Sequence, residues 1–138
     1  MALILASTSP YRDRLLRRLQ MPFSCAAPHT DESPLAGELP DALAQRLALA
    51  KARDVAAHKP GDWVIGSDQV AALEGRIMGK PGTREKAREQ LLASSGKEVR
   101  FYTGIALVGG PERQEWFHVE HFSVYFQILS EDRIESYL

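Results

Sequence analysis

Asp68 lies inside the stretch VIGSDQVAAL, residues 64–73, which is otherwise apolar enough to form a buried β-strand. Strands covered by helices on both faces are near-continuous Val, Ile and Leu, because no water remains there to solvate a charge. Two readings of this carboxylate are open. In one the strand ends at Gly66 and Ser67-Asp68 forms a turn, since Gly, Ser and Asp are ordinary turn residues. In the other Asp68 is a site carboxylate at a strand end, where open sheets hold their ligands.

Other charged and hydroxyl-bearing residues could converge on it. From Leu43, at about 100° per helical residue, Leu47, Lys51 and Val55 fall near 40°, 80° and 120°, so Lys51 sits within an apolar stripe. Its stem either packs while the ammonium reaches water, or the ammonium meets an anionic ligand at the edge of the core. The segment Ser7-Thr8-Ser9-Pro10-Tyr11-Arg12 combines hydroxyls, an arginine and a helix start, a set that suits phosphate. It lacks the glycines and lysine of a Walker A loop, and Arg14, Arg17 and Arg18 read as a solvated face. Gly79-Lys80-Pro81 alone is a turn with a surface lysine. Taken with Asp31-Glu32, the full set fits a magnesium–phosphate ligand, with carboxylates on the metal and cations on phosphoryl oxygens.

The elements that must position these groups can be read from periodicity. Leu3-Ile4-Leu5-Ala6 is a short strand, and Tyr11, Leu15, Leu16 and Leu19 recur at helical spacing after a Ser9 cap and a Pro10 first position. Residues 27–40, with Pro28, Pro34, Gly37 and Pro40, form a loop. Helices follow over about 41–58 and 83–94, and Glu74-Gly75-Arg76 turns the Asp68 strand into residues 77–80. Two long runs, 99–108 and 116–129, are joined by a Gly109-Gly110-Pro111 loop and read as an antiparallel hairpin. Phe122, Val124, Phe126 and Ile128 alternate with polar residues, which predicts one covered face. Ser130 caps a final short helix that ends at Leu138.

Length and composition describe one soluble domain over 1–138. The chain has 44% hydrophobic and 25% charged residues and a formal net charge of −1. That balance argues against disorder and against a general nucleic-acid or membrane surface. One cysteine, Cys25, excludes an internal disulfide framework and is expected as a small buried residue. No run approaches the roughly 20 apolar residues of a membrane span, and no signal peptide opens the chain, so a cytoplasmic address follows by elimination.

The motifs ILASTSPYRDRLL, DES, LALAKA, GSDQV, GKP and SGKEVRFYTGIAL stand in the order and spacing of the Maf family of nucleoside triphosphate pyrophosphatases, and the resemblance covers essentially the whole chain. It implies the α/β inosine triphosphate pyrophosphatase-like fold, a mixed β-sheet flanked by helices with a long antiparallel hairpin and a substrate cleft. It also implies hydrolysis of a nucleotide between its α and β phosphates with a divalent metal, Mg2+ or Mn2+. Carried over by position, Asp68, Lys51 and Lys80 would be catalytic, with Glu32 and Asp68 on the metal. Ser7, Tyr11, Arg12, Glu32 and Gln69 would bind substrate.

Tyr11 and Gln69 resemble the branch acting on 7-methyl-GTP, whose cationic base stacks well on an aromatic ring. Gln69 can both donate and accept toward a purine edge. The family pattern continues through a Gly-rich segment and a final strand that this chain is expected to lack. A nucleoside triphosphate is the expected partner, with a second copy of the chain as an open alternative and no membrane. The competing class is a non-catalytic Maf fragment that binds nucleotide or a partner in cell-division control, and a nucleic-acid binder using the basic first helix is a third.

Overall fold

A computed structural model describes residues 2–138. The chain runs β1 (Leu3–Ala6), α1 (Pro10–Arg17), β2 (Ser24–Ala26), α2 (Pro40–Ala56), β3 (Trp63–Leu73), β4 (Arg76–Met78), α3 (Arg84–Ser94), β5 (Glu98–Gly109), β6 (Gln114–Tyr125) and α4 (Glu131–Tyr137). These form one mixed sheet of order β2-β1-β3-β5-β6, with β4 paired to β3. β1 is parallel to both β2 and β3, whereas β5 is antiparallel to β3 and β6. The helix starts follow the sequence signals. Ser9, Thr83 and Ser130 each accept a hydrogen bond from the backbone N–H three residues on, satisfying one of the orphan donors at a helix start. Glu74 and Gly75, at φ 53° and 80°, make the two-residue turn between β3 and β4.

The core lies between α2 and one face of β3 and β5. Ala48, Leu49, Ala52 and Val55 of α2 pack on Ile4, Ala6, Val64, Ala106 and Val108, and Leu43, Ala44 and Leu47 pack on Val70. The helix approaches closely because both layers are small at the contact. A Cβ on Gly66 would lie 2.1 Å from the Ala48 carbonyl oxygen, and one on Gly104 would lie 2.3 Å from that of Ala44. Those distances leave room for hydrogen only.

Several sequence expectations are corrected. β3 does not end at Gly66; it continues through Asp68, which shares the α2-facing side with Val64, Gly66, Val70 and Ala72. Helices lie toward both faces but cover them unevenly: α2 packs along one face of β3, whereas α3 and α4 reach the other only near Ala71, Val99 and Phe101, so the strand alternates in burial along its length. β6 is the edge strand and ends at Tyr125, and its Phe122 and Val124, paired with Phe101 and Val99 on the face away from α2, are exposed. α1 buries no residue and stops at Arg17, leaving Leu19 beyond its end, and Cys25 lies exposed on the short outer strand β2. Among the described residues no helix is long and apolar enough to cross a membrane.

The close approach of α2 generates a stability prediction. Gly104→Val keeps strand propensity but forces a side chain into the Ala44 backbone, so it is expected to destabilise by roughly 1–3 kcal/mol or more. Gly79 has open space where a Cβ would stand, with nothing within 4 Å, and should accept alanine with little change. Urea unfolding midpoints of both variants check this, and a Gly104→Val midpoint equal to wild type would show that the helix can move away freely.

Candidate active site

The residues flanking the middle of β3 explain how a charge can sit there. On one edge of β3, β1 pairs with residues 63–65 and β4 pairs with residues 71–73. Between them, residues 66–70 have no strand partner on that edge among the described residues. The chain leaving β1 turns away at Ser7 and the chain leaving β4 reaches Lys80, so the two sides of this gap deliver the hydroxyl-rich turn and the second lysine. Asp68 lies in the gap at mid-strand, at the level where the parallel strand β1 has ended.

α2 supplies the counter-charge. Lys51 Nζ donates to Asp68 Oδ1 at 2.8 Å, and Lys51 and Asp68 are 6% and 9% exposed. The same ammonium lies 2.7 Å from Glu32 Oε1, and the other Glu32 oxygen lies 3.9 Å from Lys80 Nζ. Thus the charges alternate outward, from Asp68 through Lys51 and Glu32 to Lys80, whose side chain is almost fully in water. The hydrogen bond from Lys51 holds the Glu32 carboxyl below its ordinary value of 4.5; burial opposes this, and the charges of Lys51, Lys80 and Arg12 reinforce it. A depressed carboxylate contributes stability above its unfolded value and loses it as pH falls through the folded one. The Glu32 contact is therefore intact at neutral pH and lost only in acid.

The turn after β1 is organised by its own hydroxyls. Ser7 is buried, and its Oγ accepts the Ser9 N–H at 3.0 Å while Ser9 Oγ accepts the Arg12 N–H at 3.3 Å. Ser7, Thr8, Ser9, Arg12, Glu32, Lys51 and Lys80 line an open cleft of about 660 Å³. That volume lies within the roughly 300–1,000 Å³ range of small-molecule sites.

Six of the eight residues singled out from the sequence are therefore brought together: Ser7, Arg12, Glu32, Lys51, Lys80 and, behind Lys51, Asp68. Tyr11 and Gln69 are not. Tyr11 is exposed and does not line the cleft, although Pro10 and Arg12 on either side of it do. Gln69 points to the sheet face away from α2, where its Nε2 donates to Thr103 Oγ1 at 3.3 Å. The reason is the strand period of two, which sends neighbours 68 and 69 to opposite faces. Asp31 is also set apart from Glu32, because its Oδ1 accepts the Ser33 N–H at 2.9 Å and shapes the loop. Thr30 lines the cleft and was missed; a lone threonine in a long loop carries no periodic signal.

The donor set can be tested against a divalent cation. Among the described residues no three His, Cys, Asp or Glu side chains gather as a ligand cluster. Glu32 and Asp68 meet on a shared ammonium, and both offer carboxylate oxygen. Two such ligands fit a hard cation that takes the rest of its shell from phosphate and water, as magnesium commonly does.

Comparison with known proteins identifies the family of the chain. Residues 2–138 match the family described as Maf-like protein. A protein of Xanthomonas axonopodis pv. citri named 7-methyl-GTP pyrophosphatase is 55% identical over 137 residues, covering 99% of this chain and 70% of its own length. Proteins of the same name from Nitrosococcus oceani and Pseudomonas syringae pv. tomato are 52% and 49% identical over 99% of this chain, which spans 68% and 71% of their lengths. In fold the chain resembles the Staphylococcus aureus Ham1 protein, at a TM-score of 0.60 and 17% identity over 91% of this chain and 71% of that one. It also resembles protein VC0702 from Vibrio cholerae, at a TM-score of 0.53 and 11% identity over 98% and 69%. The family match spans every described residue, and the relatives share about half of them, so the chain belongs to the Maf family.

Proposed function

We propose that the chain is a nucleotide pyrophosphatase that hydrolyses 7-methyl-GTP to the monophosphate and pyrophosphate with a divalent metal. The observation that carries this reading is the Asp68–Lys51–Glu32 cluster set in a gap of the sheet beside a hydroxyl-rich helix start. The names of the relatives support the substrate class.

The chemistry follows from where the charges stand. Arg12 and Lys80 neutralise phosphate oxygens, and the Thr8 backbone N–H and the hydroxyls of residues 7–9 donate hydrogen bonds to them. Lys51 is already shared between two carboxylates at 2.7 and 2.8 Å, so it can turn toward a phosphoryl oxygen without leaving its partners far behind. Glu32 and Asp68 would hold a divalent cation, which supplies neutralising charge to the phosphate chain. Asp68, held at one oxygen by Lys51, has a second oxygen to accept the proton of a water attacking in line with the departing pyrophosphate.

Base recognition is assigned to the other side of the sheet. The connections β1–α1–β2 and β2–α2–β3 run to opposite sides of β1, and right-handed crossovers put their helices on opposite faces. Tyr11 at the start of α1 and Gln69 therefore belong to the same side. This supports a base held apart from the phosphates, with Tyr11 stacking on the cationic ring.

Incubation with 7-methyl-GTP, GTP, dTTP and UTP plus magnesium or manganese, with the products resolved, tests the reading. Monophosphate and pyrophosphate from 7-methyl-GTP are expected, and binding without turnover would make the chain a nucleotide-binding module instead. Asp68→Asn should fold, since its amide oxygen still accepts from Lys51, yet lose about 100-fold or more in turnover. Lys51→Met keeps the apolar stem, so equal triphosphate dissociation constants for it and wild type would remove Lys51 from the site. Tyr11→Ala should weaken 7-methyl-GTP more than GTP, by about 0.5–2 kcal/mol for the lost cation–π contact. Equal losses would leave base selection to other groups.

A further inference from the structure

Glu32 approaches Lys51 from a segment with little packing of its own. No helix or strand is formed over residues 27–39, and residues 31–37 are exposed one and all. Burial therefore cannot set the position of this carboxylate, and polar ties must. Two of them run to α2, the helix that carries Lys51. Before Glu32, the His29 N–H donates to Asp54 Oδ2 at 2.8 Å. After it, Arg46 Nη2 donates to the Ser33 carbonyl at 3.0 Å.

Arg46 also clasps Glu38 through both carboxylate oxygens, at 2.7 and 2.9 Å, and Glu38 Oε1 in turn accepts the Leu35 N–H at 3.0 Å. One guanidinium thus fixes the loop at residues 33, 35 and 38, in a fork geometry that lysine does not reproduce. The hydrogen bonds with Glu38 hold the Arg46 guanidinium above its ordinary value and the Glu38 carboxyl below its own, so both stay charged at neutral pH.

We infer that Arg46 and Asp54 are positioning residues that strap the 29–38 loop along α2 and so set Glu32 against Lys51. The inference rests on the proposed pyrophosphatase site and adds the means by which its loop-borne carboxylate is presented. Neither residue touches the cleft: Glu32 and Lys51 line it, while Arg46 and Asp54 do not. They lie on α2 on either side of Lys51 in sequence, one anchoring the loop before Glu32 and the other after it. Because the loop contributes almost nothing to the core, releasing it should leave stability nearly unchanged and remove the order of Glu32.

The test compares wild type, Arg46→Ala, Asp54→Ala, Glu32→Gln and the double variant Glu32→Gln/Arg46→Ala. Each is measured by thermal unfolding, by 7-methyl-GTP hydrolysis with magnesium, and by hydrogen exchange resolved along the chain. Arg46→Ala should melt near wild type, exchange faster over residues 29–38 but not in β3 or β5, and lose up to roughly 100-fold in kcat, the scale of a misplaced catalytic group. Asp54→Ala should act in the same direction at His29. If Arg46 works through Glu32, the double variant is no slower than Glu32→Gln alone; multiplied losses would overturn the proposal. Unchanged exchange over 29–38 would overturn it as well, whatever the activity. A wild-type chain that turns over no nucleotide would sink the pyrophosphatase reading, and the exchange data would still decide the strap.

Discussion

A buried ammonium shared by two carboxylates organises this molecule. Lys51 leaves the apolar stripe of α2 and meets Asp68 at 2.8 Å and Glu32 at 2.7 Å. A lysine in that position would be costly alone, and so would an aspartate facing a helix in mid-strand. Each supplies the other's partner. The pairing requires α2 to lie very close to β3, and that closeness comes from apolar packing that involves no charge. Gly66 and Gly104 lack the atoms that would hold the helix off, and Ala44, Ala48 and Ala52 present a flat surface to them.

The sheet contributes the second constraint. Had β1 continued alongside β3, the neighbourhood of residues 66–70 would have been sealed by backbone pairing. Instead β1 stops at Ala6 and β4 begins to pair only opposite Ala71, leaving an opening flanked by Ser7 on one side and Lys80 on the other. In the proposed reaction a phosphate chain entering there would meet donors and cations from both sides, with Glu32 beside it at the cleft and Asp68 behind Lys51. The site is thus a property of where strands end, which agrees with the placement of ligands at the carboxyl ends of parallel strands.

Glu32 stands apart in mechanical terms. Asp68 and Lys51 are held by a strand and a helix packed into the core, whereas Glu32 comes from an exposed loop. A carboxylate so placed depends for its position on the polar ties of its loop to α2, which a strand residue does not. Segments with few buried contacts open at low free-energy cost, and binding loops are commonly drawn from them. The division gives the cluster one half held by the core and one half held by polar ties, joined by one lysine.

The sequence by itself determined the elements and the candidates. Ser9-Pro10 and Thr83 announced helix starts, Glu74-Gly75 announced a turn, and Asp68 and Lys51 were conspicuous because each broke an apolar pattern. Local rules suffice for such features, since caps, turns and periodicity depend on neighbours in the chain. The tertiary structure alone decided that β3 runs unbroken through Asp68, because a charge in a strand is tolerated only when a distant helix brings its partner. It also decided that Gln69 faces away and that Asp31 and Glu32 separate, consequences of strand pleat and loop course that depend on register and anchoring. Tyr11, Leu15 and Phe122 looked like core from their spacing, yet they lie exposed. Periodicity reports which residues share a face, and only tertiary packing decides whether that face is covered: α1 buries no residue, and Phe122 stands on the edge strand, on the face away from α2.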